Sequence, residues 1–205
     1  MLFCFMGGTC TGKNTLMQKC IDAYGWKPIV RTTSRPMRSG EVDGVDYHFI
    51  SPQEFIDLLN DKKFIEFETF SNERYYGTLK SELESDEVLC MTLTPQGLLK
   101  ILNSTDPSMK ICVIYVTCSL GDAIIRYVNR VGVESFSVDD KMEMCDRLAR
   151  DEGMFKGFGE LCRNLYYNYP NFNIVFFEND GTSDLVDMLK YYKGVHNERI
   201  KNPQN

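Results

Sequence analysis

Histidine is scarce in this chain: two residues, His48 and His196, stand against eight cysteines with no Cys-x-x-Cys pair among them. That combination argues against a zinc site, which draws its ligands from paired Cys and His. Cys4, Cys10, Cys20, Cys90, Cys112, Cys118, Cys145 and Cys162 are scattered, several within apolar runs where a free thiol packs as a small hydrophobe. A reducing, cytoplasmic setting is the expectation. Positive charge is also in short supply. The net charge of −6 excludes a general pull towards nucleic acid or an anionic membrane, so a polyanion must be held by a local basic cluster. Long apolar runs are missing too, and Leu2–Met6 is too short for a signal peptide or a membrane span. Internal repeats and low-complexity stretches are absent. What is present is an ordinary globular composition over 205 residues, enough for one core domain carrying smaller flaps.

Gly7 to Thr15 reads Gly-Gly-Thr-Cys-Thr-Gly-Lys-Asn-Thr, between the apolar Leu2–Met6 and a helical pattern over Thr15–Tyr24. Gly7, four residues, then Gly12 and Lys13 is the spacing of a phosphate-binding loop. Glycine lets successive N–H groups curl around an anion at the positive end of the following helix. Gly7, Gly8, Thr9, Cys10, Thr11, Gly12, Lys13, Asn14 and Thr15 are therefore the candidate ATP-phosphate cradle, with Lys13 reaching the outer phosphates. Asn14 stands where the motif has a hydroxyl ligand for Mg²⁺, and is the candidate metal residue. A Gly-rich strand-to-helix turn without a ligand is the alternative.

Apolar, β-rich runs at Leu2–Met6, Lys27–Thr32, Val88–Leu93, Ile111–Val116 and Ile174–Phe177 predict strands. Helical patterns intervene near Pro95–Asn103, Gly121–Val131, Lys141–Phe155 and Ser183–Tyr192. Continuous apolar strands alternating with helices predict an α/β fold whose parallel sheet is covered on both faces, with ligands beyond the strands' carboxyl ends. Residues 31–79 break this alternation. They are rich in turn formers, carry a helix announced by Ser51-Pro52-Gln53-Glu54 and running to about Asn60, and continue as extended Phe64–Phe67 and Tyr75–Thr78 around a turn at Ser71–Arg74.

Taken together, GGTCTGKNTL, TTSRPMRSGEVDGVDYHF, FIEF and YYGT, in this order, resemble a guanylate kinase. The resemblance covers most of the chain and is strongest from Gly7 to Thr78. It implies a P-loop nucleoside monophosphate kinase fold with a five-stranded parallel core (1–30, 80–118 and 156–205), a monophosphate-binding region (31–79) and a lid (119–155). It implies phosphoryl transfer from ATP, with Mg²⁺, to GMP or dGMP by a cytoplasmic monomer or homodimer that engages neither nucleic acid nor membrane.

Carried over by motif, Arg35 and Arg38 grip the acceptor phosphate with the hydroxyls of Tyr47 and Tyr76. Forked guanidinium bonds to phosphate oxygens suit that task, though two solvated loop arginines fit the local sequence equally. Glu66 occupies the position that reads guanine, Thr78 supplies a hydroxyl to the base, and Thr94 lies on the same lining. Glu66 alternates with Ile65 and Phe67, so an outward-pointing glutamate is the alternative. Arg126, Arg130 and Arg147 match lid arginines that close over ATP and, with Lys13, Arg35 and Arg38, neutralise the moving phosphate; surface pairing with Glu134, Asp139, Asp140, Asp146, Asp151 and Glu152 is the rival for each. Asn179 matches a residue near adenine, although Asn-Asp-Gly is itself a turn signal.

Three positions depart from the family pattern besides Asn14. Arg31 replaces a serine near the base, while Thr92 and Thr94 replace two aspartates, one of which helps hold hydrated Mg²⁺ and position the base. These departures keep two other readings open: a kinase for a different or modified nucleoside monophosphate, and an inactive guanylate-kinase-like module that binds a protein. His48 and His196 suggest no catalytic role, and the tail after Gly194 is expected to fray.

Overall fold

The computed structural model describes residues 1–38, 40–70 and 74–190, with Phe70 described by its backbone alone. His196, the tail after Gly194, most of the expected turn at Ser71–Arg74 and the end of the helix expected over Ser183–Tyr192 lie outside the described residues. In chain order the elements are β1 (Leu2–Met6), α1 (Lys13–Tyr24), β2 (Lys27–Pro28), β3 (Thr32–Thr33), β4 (His48–Phe49), α2 (Pro52–Asn60), β5 (Phe64–Phe70) and β6 (Arg74–Leu79). Then come β7 (Leu89–Thr92), α3 (Pro95–Ser104), β8 (Ile111–Thr117), α4 (Leu120–Val131), α5 (Val138–Phe155), α6 (Phe158–Asn168), β9 (Phe172–Glu178) and α7 (Leu185–Lys190).

The central sheet has five parallel strands in the order β2-β7-β1-β8-β9. Strand β1 is buried along its whole length, and its alternation divides the core into two layers. Leu2, Cys4 and Met6 pack with Leu98 and Ile101 of α3 and with Phe158 and Leu165 of α6. Phe3 and Phe5 pack on the opposite face with Leu16 and Cys20 of α1, with Leu185 and Leu189 of α7, and with Trp26. The Trp26 ring stacks on Phe3 at 3.9 Å. Helices on both faces leave the carboxyl ends of the strands as the edge where the loop after β1 opens.

Residues in the 31–79 stretch build a second, mixed sheet in the order β4-β3-β6-β5. Phe55 of α2 is fully buried beneath it, stacked on Phe64 at 4.3 Å and on Tyr75 at 5.3 Å. Helix α2 starts with the expected capping box, Ser51 and Glu54 bonding reciprocally.

Three elements depart from the pattern read in the sequence. The run Lys27–Thr32 is not one strand: Lys27 and Pro28 pair with β7, whereas Thr32 already belongs to the second sheet. Lys27 and Ile29 donate to the Val88 and Cys90 carbonyls, so the nitrogen of Pro28 faces away from β7, where its missing N–H suits an edge strand, and the chain crosses over after it. Helix α6 has no clear signal, because Gly157 and Gly159 sit at its start and exposed Tyr166 and Tyr167 interrupt its apolar stripe. Helix α5 begins at Val138 and not Lys141, since Ser137 and Asp140 form a capping box there. Among the described residues no helix is long and apolar enough to cross a membrane.

Candidate active site

Residues 7–12 turn between β1 and α1 under steric constraint. A Cβ on Gly7 would stand 2.2 Å from the carbonyl oxygen of Val116 in β8, so only glycine lets the loop pass that strand. Gly12, at the N-cap of α1, is left-handed with φ 88°. Asn179 closes the loop from β9: its Nδ2 donates to the Thr11 carbonyl at 2.8 Å. From α4, Arg126 donates to the carbonyls of Thr11 at 3.2 Å and Asn179 at 2.9 Å. Loop, Arg126 and Asn179 thus form one hydrogen-bonded unit, although they come from three distant stretches of the chain.

Lys13 lies at this unit with its ammonium donating to the Gly8 carbonyl at 2.9 Å. Burial lowers its pKa, against the opposing pull of Asp151, and Arg130 adds to the lowering. An ammonium pressed towards neutrality in this way gains from an arriving anion. Asp151 of α5 already supplies one, because Thr9 N–H donates to its Oδ2, and that oxygen lies 3.2 Å from where a Cβ on Gly8 would stand. Sequence reading weighed Asp151 only as a surface partner for arginine. No local signal ties a residue of a distant helix to the loop.

Arg35, Tyr47 and Tyr76 meet in the second sheet. Arg35 is only 5% exposed, and its guanidinium lies 5.5 Å from the Tyr47 ring, which meets Tyr76 edge-on at 5.9 Å. Glu41 holds it in a fork, with bonds of 2.8 and 3.0 Å, and also accepts from the Arg38 main chain at 2.8 Å. The fork lowers the Glu41 pKa and raises that of Arg35. A carboxylate therefore sits where the motif leads one to expect a phosphate. The Arg38 side chain is exposed.

Glu66 does not point outward, since it is 1% exposed. Arg31 Nη2 donates to its Oε1 at 2.8 Å and Thr78 Oγ1 donates to the same oxygen at 2.6 Å. Glu66 pairs with Thr78 across the β5–β6 ladder, and Glu68 with Tyr76, so both glutamates lie on one face. Thr94, the N-cap of α3, donates to Glu68 Oε1. Glu68 was missed in the sequence because it becomes notable only through that contact.

The other arginines expected of the lid are placed less directly. Arg130 and Arg147 flank the Tyr127 ring at 4.9 and 6.0 Å, and Arg147 is bonded to Glu143 one turn away. Arg147 is thus paired at the surface, but with Glu143, which is not among the carboxylates weighed as its rivals.

Asn14 and Thr15 are exposed on the first turn of α1. Mg²⁺ is held through one or two carboxylates together with substrate phosphates. The motif positions here are the uncharged Asn14, Thr92 and Thr94, and the Thr94 hydroxyl is already bonded to Glu68. Among the described residues no three His, Cys, Asp or Glu side chains gather as a metal site. The donor set does not fit a protein-held ion.

A family model for guanylate kinase matches residues 2–144. The chain belongs to the guanylate kinase family. Its relatives include guanylate kinases from Sulfurimonas denitrificans (37% identical over 47% of this chain and 49% of the relative) and Salinibacter ruber (30% identical over 69% and 73%). Another, from Mycoplasma pneumoniae, is 27% identical over 76% of this chain and 66% of the relative. The chain thus spans about half the length of the first of these relatives and about two thirds of the last. The crystal structure of guanylate kinase from Anaplasma phagocytophilum superposes with a TM-score of 0.57 at 15% identity, covering 98% of this chain and 87% of that one. Across this family the fold is a P-loop nucleoside monophosphate kinase fold, and the five-stranded parallel sheet found here agrees with it.

Proposed function

We propose that this chain transfers the γ-phosphoryl group of ATP to GMP or dGMP. The observation that carries this reading is the pairing of a phosphate loop, tied to Arg126 and Asn179, with a buried Glu66 in the second sheet. The loop N–H groups and Lys13 take the donor phosphates. Arg35, with Tyr47 and Tyr76, takes the acceptor phosphate once Glu41 releases it, and Arg38 stands at the mouth of that cradle. Glu66 and Thr78 read the base, with Thr94 beside them. Arg126, Arg130 and Arg147 stabilise charge on the phosphoryl group in flight.

Such a transfer asks little covalent chemistry of the protein, and alignment with charge neutralisation supplies most of the rate. The two substrates approach from opposite sides, the monophosphate on the 31–79 region and ATP between the loop and the 119–155 lid. Closure of both excludes the water that would hydrolyse ATP. Any magnesium would be carried by the ATP phosphates themselves, since Asn14, Thr92 and Thr94 offer it no carboxylate.

The test is ADP release measured with each common ribo- and deoxynucleoside monophosphate as acceptor. The expected result is turnover confined to, or at least ten times faster with, guanine nucleotides. A folded chain that turns over no acceptor overturns the proposal in favour of a binding module, and preference for another base redirects it to a different monophosphate.

A further inference from the structure

Four buried side-chain polar atoms lack a hydrogen-bond partner among the described residues: Arg31 Nε, Thr32 Oγ1, Glu66 Oε2 and Glu68 Oε2. All four belong to the second sheet or to the residue leading into it, around the Glu66 site. Buried polar atoms are almost always partnered, and leaving one bare costs about 1–3 kcal/mol, so a cluster of them marks a place where a ligand completes the bonding.

The chemistry of the four is specific. Arg31 Nε can only donate. Glu66 Oε1 already accepts from Arg31 and Thr78, which leaves Oε2 as that carboxylate's one open acceptor. Glu68 is likewise half used, with Oε1 accepting from Thr94. Thr32 Oγ1 can do either. The open oxygen of Glu66 and the Thr94 hydroxyl that holds Glu68 converge on the first turn of α3, lying 3.5 and 3.4 Å from the point where a Cβ on Gly97 would stand. The site therefore offers one N–H and two carboxylate oxygens on adjacent groups.

We infer that Arg31 and Glu68 are specificity-determining residues that, with Glu66, read the three polar groups of a 6-oxo-2-aminopurine. Arg31 donates to the 6-oxo group, Glu66 Oε2 accepts from the ring N1–H, and Glu68 Oε2 accepts from the 2-amino group. Among the common bases guanine alone presents an acceptor followed by two donors. Hypoxanthine leaves Glu68 bare, and adenine offers an acceptor where Glu66 needs a proton. Thr94 carries no charge itself but holds the Glu68 carboxylate at the edge of the base. The assignment rests on the proposed base site at Glu66.

The test compares GMP with inosine 5′-monophosphate, which differs only by the 2-amino group, using kcat/KM with ATP and, independently of turnover, calorimetric Kd. The wild-type chain is expected to favour GMP by about 10- to 100-fold, the worth of one hydrogen bond to a charged group. Glu68→Met should collapse that ratio towards one while leaving the KM for ATP in place, and Glu68→Gln should move it the same way by less if the methionine variant does not fold. A wild-type chain indifferent to the 2-amino group, or a Glu68 variant that weakens both nucleotides equally, overturns the assignment. A chain that binds both nucleotides without turnover overturns the kinase reading alone, and the ratio of the two Kd values then decides this one. Absence of binding to either nucleotide overturns both.

Discussion

Glu66 shows how one side chain acquires a role from its surroundings. Strand alternation puts it on one face of β5, but burial turns it from a surface charge into a fixed acceptor. Glu66→Gln should lower kcat/KM for GMP by about 10- to 100-fold and leave the KM for ATP nearly unchanged, because the charge is lost at the base site and from its pair with Arg31, away from the phosphate loop. Equal loss for both nucleotides would show that Glu66 is structural. The cysteines give a second prediction at this scale. Cys20, Cys90 and Cys162 have thiol pKa values pushed up to about 12 by burial, and Cys4 and Cys112 are also buried. In the native chain a thiol reagent should label exposed Cys145 quickly, then Cys10 and Cys118 beside the phosphate loop, with ATP slowing the latter two. Rapid labelling of all eight would contradict the core described here.

Helix α5 matters at the scale of elements. It carries both Arg147, bonded to Glu143, and Asp151, bonded to the loop proposed to take the ATP phosphates. A carboxylate on the Thr9 N–H competes with an incoming phosphate for the same donor. Asp151→Asn should therefore lower the KM for ATP by about three- to tenfold, an effect that shrinks as salt screens the charge. A raised KM would mean that α5 uses Asp151 to hold the loop in its binding shape. The same element shows what spacing conveys. Arg126 and Arg130 share a face of α4 by sequence alone, yet only packing brings Arg126 onto the Thr11 carbonyl and leaves Arg130 over Tyr127.

Across the whole molecule, carboxylates recur where phosphates are expected. Glu41 holds Arg35, Asp151 holds the loop, and Glu143 holds Arg147. The two arginine pairs keep their partly buried cations satisfied in the absence of nucleotide, since an unpaired buried charge costs more than a paired one. Carboxylates depressed by such a pair or by helix and turn caps set the acid limit of the fold. Glu41 has a lowered pKa from Arg35, Asp140 from Ser137, and Asp180 falls to about 2 through the N–H groups of Ser183 and Thr182. A carboxylate depressed in the folded state contributes stability that is present above its unfolded pKa and lost as pH falls through the folded value. The melting temperature should hold between about pH 7 and 5 and then decline from near pH 4 towards pH 2. A rise over that lower interval would contradict these hydrogen bonds.

The sequence by itself determined the alternating strands and helices, the phosphate loop and the segment inserted at 31–79. Those features follow from local spacing, apolar periodicity and the conformational freedom of glycine, which act within a few residues. Tertiary structure alone decided that Lys27–Thr32 divides between two sheets, that Asp151 reaches the loop, and that Arg31 and Glu68 join Glu66. Those outcomes depend on which distant groups share a buried, weakly screened space, where a polar atom must find a partner or wait for a ligand.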